Sequence, residues 1–207
     1  MRVAIVGGTG PFGRALATRL HEAGYGVVLG SRHAERAAGT AAELGVEGAT
    51  NADAVRGADL VVLAVKADAA IDTARQLRDA IGTTAVLCVA SELEFTVDGV
   101  LPAPETRSLA ERVQAELEAP VVAGLHSLAA ATLGSEAPDE DALVCGTDAE
   151  AKARGLELAD QITEGRALDA GPLQSARALE GLTAVIVNLN KRYRGHAGIR
   201  VTGLRDA

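Results

Sequence analysis

Gly8-x-Gly10-x-x-Gly13 follows a short β-branched run at residues 3–6 and opens a stretch at 12–23 with Leu16 and Leu20 at helical spacing, which Gly24 ends. Strand, glycine turn and helix in that order is the context in which this spacing binds a dinucleotide. Gly8 is expected to allow the sharp turn, Gly10 to let a pyrophosphate approach the backbone, and Gly13 to let the helix lie close on the strand. The helix N-terminus then offers unpaired N–H groups and a partial positive charge to the phosphates.

The residues about 20 positions further on decide which dinucleotide fits. A site for NAD places an acidic residue at the end of the second strand, where it accepts from the ribose 2′-hydroxyl. Here that place holds Gly30-Ser31-Arg32. An arginine beside a serine hydroxyl binds a 2′-phosphate through charge-assisted hydrogen bonds. Arg36 lies one helical turn beyond Arg32, and His33 can join them when protonated. Two cations near a helix N-terminus oppose its dipole unless an anion offsets them, so NADP(H) is expected over NAD(H).

Other chemistry has few candidates. The chain has no GxSxG elbow, HExxH, CxxC or clustered ligand set, so neither a hydrolytic nor a metal site is expected. It also lacks a Tyr-x-x-x-Lys pair, since Tyr25 is followed by Leu29 and Tyr193 by Ala197, and an ordinary ketone reductase would be without its acid. Among the four histidines, His21 reads as a surface helix residue and His196 has no reading. His126 directly follows an apolar run at 121–125 and precedes Ser127, at the carboxyl end of a strand where open α/β sheets bind ligands. It is a candidate hydrogen-bond donor or proton source, and on position alone it is as readily a structural histidine.

These residues need a scaffold that holds strand ends side by side. Strands are expected at 27–29, 46–49, 59–65, 84–90, 121–125, 142–145 and 167–173, the last with a turn. Helices are expected at 34–44, 53–56, 69–81, 109–117, 149–162 and 174–190. The unalternated DLVVLAV at 59–65 is the kind of strand a parallel sheet covers on both faces. Such alternation makes one α/β domain over 1–207, Rossmann-type and doubly wound with a mainly parallel sheet, whose dinucleotide-binding core is 1–123. Residues 92–107 break the rhythm with Gly99, Pro102 and Pro104 and are expected to form a loop that serves as lid or rim.

Composition excludes several classes of partner. Twenty Lys and Arg against 28 Asp and Glu give a net charge of −8, against the sign a nucleic acid or anionic membrane would require. Four aromatics, Phe12, Tyr25, Phe95 and Tyr193, with no Trp, are too few to stack successive bases. Cys88 and Cys145 sit in apolar runs and read as reduced core residues. Without a stretch of about 20 apolar residues or a signal-like start, a soluble cytoplasmic protein is expected.

Over nearly its whole length the sequence resembles the coenzyme F420-dependent NADP reductases. The resemblance rests on VAIVGGTGPFG at 3–13, LGSR at 29–32, AIDTAR at 70–75, GLHSLAAATL at 124–133, VCGTDAE at 144–150, LDAGPLQSARALE at 168–180 and RYRGHAGIRVTG at 192–203. It implies hydride exchange between C4 of the nicotinamide of NADP(H) and C5 of the deazaflavin coenzyme F420. Matched by position, Thr9, Gly10, Pro11, Phe12, Ser31, Arg32 and Arg36 are implied NADP contacts. Val65, Ala90, Ala130 and Ala197 are implied to line the cleft, with 124–207 forming its deazaflavin side as a C-terminal extension. Two departures stand out: 65–68 lacks the Pro and aromatic of some relatives, and 90–92 lacks a Pro-Leu.

On this reading His126, aided by backbone N–H groups from Ser127 to Ala130, donates to charge developing near the deazaflavin N1 and its adjacent carbonyl. Lys191, Arg192 and Arg194 either hold that coenzyme's anionic tail or complement a helix dipole. A homodimer through 174–190 is expected. Two alternatives remain: an NADP-dependent reductase of an imine or other small substrate, and a noncatalytic NADP(H)-sensing module.

Overall fold

A computed structural model describes residues 1–204. Its elements are β1 (Arg2–Val6), α1 (Pro11–Glu22), β2 (Gly26–Ser31), α2 (Ala34–Leu44), β3 (Glu47–Thr50), α3 (Asn51–Val55), β4 (Leu60–Leu63), α4 (Ala67–Ile81) and β5 (Val86–Cys88). The chain continues with β6 (Leu93–Phe95), β7 (Val100–Pro102), α5 (Leu109–Gln114), β8 (Val121–Gly124), α6 (Ala130–Ser135), β9 (Ala142–Gly146), α7 (Ala149–Ile162), β10 (Ala167–Asp169) and α8 (Ala176–Tyr193). The main sheet runs β10-β9-β8-β5-β4-β1-β2-β3. From β3 to β8 every pairing is parallel, and the order reverses between β1 and β4, the switch point where doubly wound sheets open a crevice.

Successive strand residues feed opposite cores. Val3, Ile5, Val62, Leu87 and Val122 pack with Leu16, Leu20, Leu158 and Ile162 of α1 and α7 on one face. Ala4, Val6, Val61, Leu63 and Val121 pack with Leu77, Val113 and Leu179 of α4, α5 and α8 on the other. Burial on both sides explains why the strands carry no polar alternation. Cys88, Ala123 and Cys145 are in register across β5, β8 and β9. The two thiols are therefore two strand spacings apart, about 9–10 Å, beyond disulfide reach. Burial pushes them up to about 12 and about 11.

The structure corrects the sequence reading in three places. First, β9 runs antiparallel to β8, and β10 follows β9, so the plain βα alternation ends at β8. The connection goes through α6, which the sequence reading missed and which packs on α1 with Gly134 against Ala15 instead of returning the chain to the far end of the sheet. Second, the expected loop at 92–107 contains a hairpin, β6–β7, whose turn bonds Thr96 N–H to the Gly99 carbonyl at 2.8 Å. Asn188 of α8 bonds both the Val100 N–H (2.8 Å) and its carbonyl (2.7 Å), so the hairpin is fastened to a helix far along the chain. Third, the last helix begins two residues later than expected and runs three further.

Candidate cofactor cleft

The glycine turn divides its work differently from the sequence reading. Gly7, not Gly8, adopts the left-handed conformation (φ +79°), and a Cβ there would lie 2.8 Å from the Ala64 carbonyl oxygen. Gly8 supplies closeness instead. Its N–H lies 3.1 Å from both the Ile5 and Gly30 carbonyls, and a Cβ would meet Leu29 Cδ2 at 2.5 Å. A Cβ at Gly13 would sit 2.7 Å from the Gly8 Cα, so helix and turn touch backbone to backbone. Gly10 is different: a Cβ there meets only the Gly7 carbonyl, at 3.4 Å. The space beside it is open, as an approaching pyrophosphate requires.

Gly10 caps α1 with no side-chain bond, Pro11 occupies its first turn, and no acidic residue is there. The helix therefore keeps its positive end uncompensated. Thr9 and Phe12 are half-buried around the turn and Pro11 is exposed. At the end of β2, Ser31 is buried and its Oγ accepts from the His33 N–H at 3.3 Å. Arg32 and Arg36 are exposed, with no hydrogen bond or ion pair to any described residue. Asn51, which sequence reasoning passed over, stands beside Gly30 with its Oδ1 buried and without a partner. Its only sequence signal is a carboxamide just past the third strand.

Next to the turn, a cleft of ≈ 570 Å³ opens at the carboxyl ends of β4 and β5, lined by Val65, Lys66, Ala90, Ser91, Leu93 and Phe95. Its floor is continuous with the phosphate turn because Val6, Leu63 and Cys88 are in register across β1, β4 and β5. A second cavity of ≈ 380 Å³, around Asp59, Thr84 and Pro120, lies at the opposite end of the sheet, away from the glycines.

At the end of β8, Leu125 is buried at a left-handed φ of +64°, and the Leu128 N–H bonds back to its carbonyl at 3.1 Å. The turn carries His126 and Ser127 into the interior, 7% and 3% exposed. Both ring nitrogens of His126 and the Ser127 Oγ have no partner. Burial pushes the imidazole down to about 4, only slightly opposed by the nearby Ala90 carbonyl, with which it makes no bond of normal geometry. His126 is thus neutral at pH 7. In that form the ring offers one N–H donor and one acceptor nitrogen.

Thr183 of α8 is a site residue that no sequence signal marked, being a lone hydroxyl in an apolar helix. It donates to the His126 carbonyl at 3.0 Å and pairs with Ser91 Oγ at 2.8 Å. One hydroxyl thereby ties the ends of β5 and β8 to α8. Val65 and Ala90 line the cleft, and Ala130 opens α6 just beyond the His126 turn. Ala197 is half-buried in the tail, its N–H held by Asn190 Oδ1 at 2.6 Å. Of the basic segment, Lys191 packs over the Phe95 ring (5.3 Å to its centroid) at the cleft rim, whereas Arg192 and Arg194 sit exposed where α8 ends.

A glycine turn at a helix N-terminus, opening beside a cleft at the sheet's switch point, belongs to a dinucleotide-binding protein of Rossmann type. Residues 2–91 match the family model described as NADP oxidoreductase, coenzyme F420-dependent. The chain is 35% identical to the F420-dependent NADP reductase of Methanothermobacter thermautotrophicus, an alignment spanning 100% of this chain and 97% of that one. It is 36% identical to the enzyme of the same name from Methanocaldococcus jannaschii, over 99% of each. A crystal structure from Arthrobacter sp. FB24, assigned to the F420-dependent NADP reductases, superposes with a TM-score of 0.84 at 26% identity, covering 98% of this chain and 100% of that one. The chain belongs to the F420-dependent NADP reductase family.

The contrast between Gly10 and Gly13 is testable. Gly10→Ala is expected to change folding stability by less than about 1 kcal/mol yet weaken NADPH binding about tenfold or more. Gly13→Ala, which forces backbone apart, lowers both, with a stability loss of about 1–3 kcal/mol. Urea unfolding beside calorimetric titration separates them, and equal stability losses would refute the division of roles.

Proposed function

We propose that this oxidoreductase passes hydride directly between NADP(H) and coenzyme F420, with the glycine turn, Ser31, Arg32 and Arg36 holding the first and the His126 turn facing the second. When bound, the two coenzymes supply hydride donor and acceptor, so the protein's task is positioning rather than proton relay. The observation that carries this reading is the group of three buried polar atoms, two on His126 and one on Ser127, that have no partner among the described residues. Leaving each of them unpaired costs about 1–3 kcal/mol, and a ligand offering a carbonyl and ring nitrogens would satisfy them.

Each group has a defined part. The α1 N-terminus and the open face of Gly10 receive the pyrophosphate. Arg32 and Arg36 are free to neutralise a 2′-phosphate without breaking an existing ion pair. His126, as a neutral donor fixed by the Thr183 bond to its carbonyl, meets negative charge that develops on the accepting ring. Val65, Ala90, Ser127, Ala130 and Ala197 supply backbone around the rings. Membership of the family favours this reading over an imine reductase or a sensing module.

The assembly in this reading is a homodimer in the cytoplasm. Val185, Leu189 and Tyr193 on α8 and Phe95, Val97 and Leu101 on the hairpin are exposed on neighbouring elements, an apolar face that a second copy would cover. Two buried free thiols suit a reducing compartment. Among the described residues no helix is long and apolar enough to cross a membrane.

Each of these assignments can be tested. Arg32→Ala is expected to raise the NADPH dissociation constant roughly 10- to 100-fold while leaving that for NADH almost unchanged, read by fluorescence titration. A loss shared equally by the two would defeat 2′-phosphate recognition. His126→Ala is expected to lower kcat for deazaflavin reduction roughly tenfold or more, with His126→Asn recovering part of it. Because the ring stays neutral down to about pH 4, no inflection in kcat near 6.5 should come from His126. The same burial costs stability in acid: the unfolded chain takes up this proton near 6.5 and the folded one near 4, so stability falls between those values as pH drops. Finally, light scattering is expected to give a dimer that Val185→Glu with Leu189→Glu converts to a monomer; a monomeric unaltered protein would sink the assembly.

A further inference from the structure

Four donors converge on the buried carboxylate of Asp141: Arg166 Nη2 at 2.8 Å, Arg166 Nε at 3.4 Å, the Arg166 backbone N–H at 2.9 Å and the Val201 N–H at 2.8 Å. The Asp141 N–H in turn donates to the Ile199 carbonyl at 2.8 Å. Arg166 also reaches the Val201 carbonyl, and Arg200 pairs with Asp139. At the near end, Asn190 holds the Ala197 N–H. Residues 197–201, irregular by backbone pattern, are thus laid along 139–141 as a strap. Because β9 runs antiparallel to β8, with Leu125 N–H bonded to the Leu143 carbonyl at 3.2 Å, the 139–141 segment lies at the same end of the sheet as His126 and Ser127.

Beneath the strap is a carboxyl with no counter-ion of its own. Glu140 is 7% exposed and its Oε2 has no partner. Gly198 passes over it so closely that a Cβ would lie 2.9 Å from the Glu140 Cβ and closer still to its carboxyl. The titratable and charged groups on the elements packed here are Asp139 and Asp141 on its own segment, His196 just before the strap, Arg200 on it, and Glu164 and Arg166 on the turn before β10. Arg200 is engaged by Asp139 and Arg166 by Asp141. Thr163 donates to the Glu140 backbone carbonyl and not to its carboxyl.

We propose that residues 197–201 form a detachable wall of the cofactor cleft, docked through the Asp141–Arg166 clasp and loosened when the Glu140 carboxyl ionises. The effect on turnover rests on the function proposed above; the docking itself does not. Burial raises the Glu140 carboxyl from an ordinary 4.5 to about 7 in the docked state, only partly opposed by the Ile199 N–H. Docked protein therefore holds the proton more tightly than released protein. Docking is strongest below about 4.5, weakens as pH rises towards 7, and levels off above it. The Arg166 hydrogen bond holds Asp141 down at about 2, so the clasp itself does not titrate in that window.

The test is hydrogen exchange at the Ile199 and Val201 N–H groups of the full chain from pH 5 to 8, corrected for intrinsic rate. Protection in the unaltered protein is expected to fall on the order of 10- to 100-fold, inside the roughly 300-fold limit set by a displacement of this size. In Glu140→Gln the profile should be flat. Gly198→Ala should strip protection from both strap amides at every pH while Val62 and Val122 stay protected. A flat profile in the unaltered protein, the same slope in Glu140→Gln, or full strap protection in Gly198→Ala would overturn the docking. With docking upheld, a KM for the deazaflavin that ignores pH in the unaltered protein would overturn the wall's role. Absence of any turnover with that coenzyme would instead fall on the proposed function, leaving the exchange result to stand.

Discussion

Everything at the coenzyme end of this molecule hangs on the Gly8 N–H, which lies 3.1 Å from two carbonyls, Ile5 in its own strand and Gly30 in the next. That shared bond fixes the glycine turn to β2 as well as to β1. Gly13 then rests on Gly8, so α1 cannot shift without moving the turn. The turn proposed to receive a pyrophosphate and the strand end proposed to receive a 2′-phosphate, about 20 residues apart in the chain, become one rigid unit of backbone. Side chains added at Gly8 or Gly13 would separate these parts by direct contact, whereas the open face at Gly10 is the one place where the turn meets something other than itself.

Where local chemistry decides, the sequence was legible. The order of strands and helices through β8 follows from apolar periodicity, and the arginine pair beyond β2 declares itself by charge. Which glycine takes the left-handed conformation was not legible, because the crowding at Gly7 comes from the Ala64 carbonyl just past β4, a neighbour only in space. Strand direction is equally invisible to a two-residue period: β9 reverses because α6 packs on α1 instead of crossing the sheet. The hairpin at 93–102 does carry a local signal, Asp98-Gly99 in its turn, which the sequence reading passed over, but its fastening to Asn188, 88 residues away from the Val100 it bonds, is not local. His126 does follow a strand, as its sequence position indicated, but its charge state depends on burial that only the assembled turn creates.

The excess of acid also finds its explanation in distribution. Arg14, Arg75, Arg78, Arg154 and Arg166 are each engaged by carboxylates elsewhere on the molecule. Arg32 and Arg36, which like Arg107, Arg192 and Arg194 have no carboxylate partner among the described residues, sit beside a helix start whose only first-turn acid is Glu35. At physiological ionic strength charges beyond about 8 Å are largely screened. A phosphate at the β2 end therefore feels this unpaired couple far more than the net −8 of the chain. A protein that is acidic overall can in this way hold an anionic coenzyme.

The His126 turn shows what such holding costs. Leu125 sits in a backbone conformation that a bulky residue rarely adopts, with three neighbouring polar atoms buried and unpaired. Strain of about 1–3 kcal/mol persists only where surrounding structure over-determines it. Here Leu125 is bonded to Leu143, Leu128 to Leu125, and the His126 carbonyl to Thr183, which is itself paired with Ser91. Those bonds come from β9, the turn itself and α8, three directions that leave little freedom. In the proposed function, donors fixed in this way would need less reorganisation than water when charge appears on a ring. A looser turn would be more stable alone and less able to meet charge as it appears.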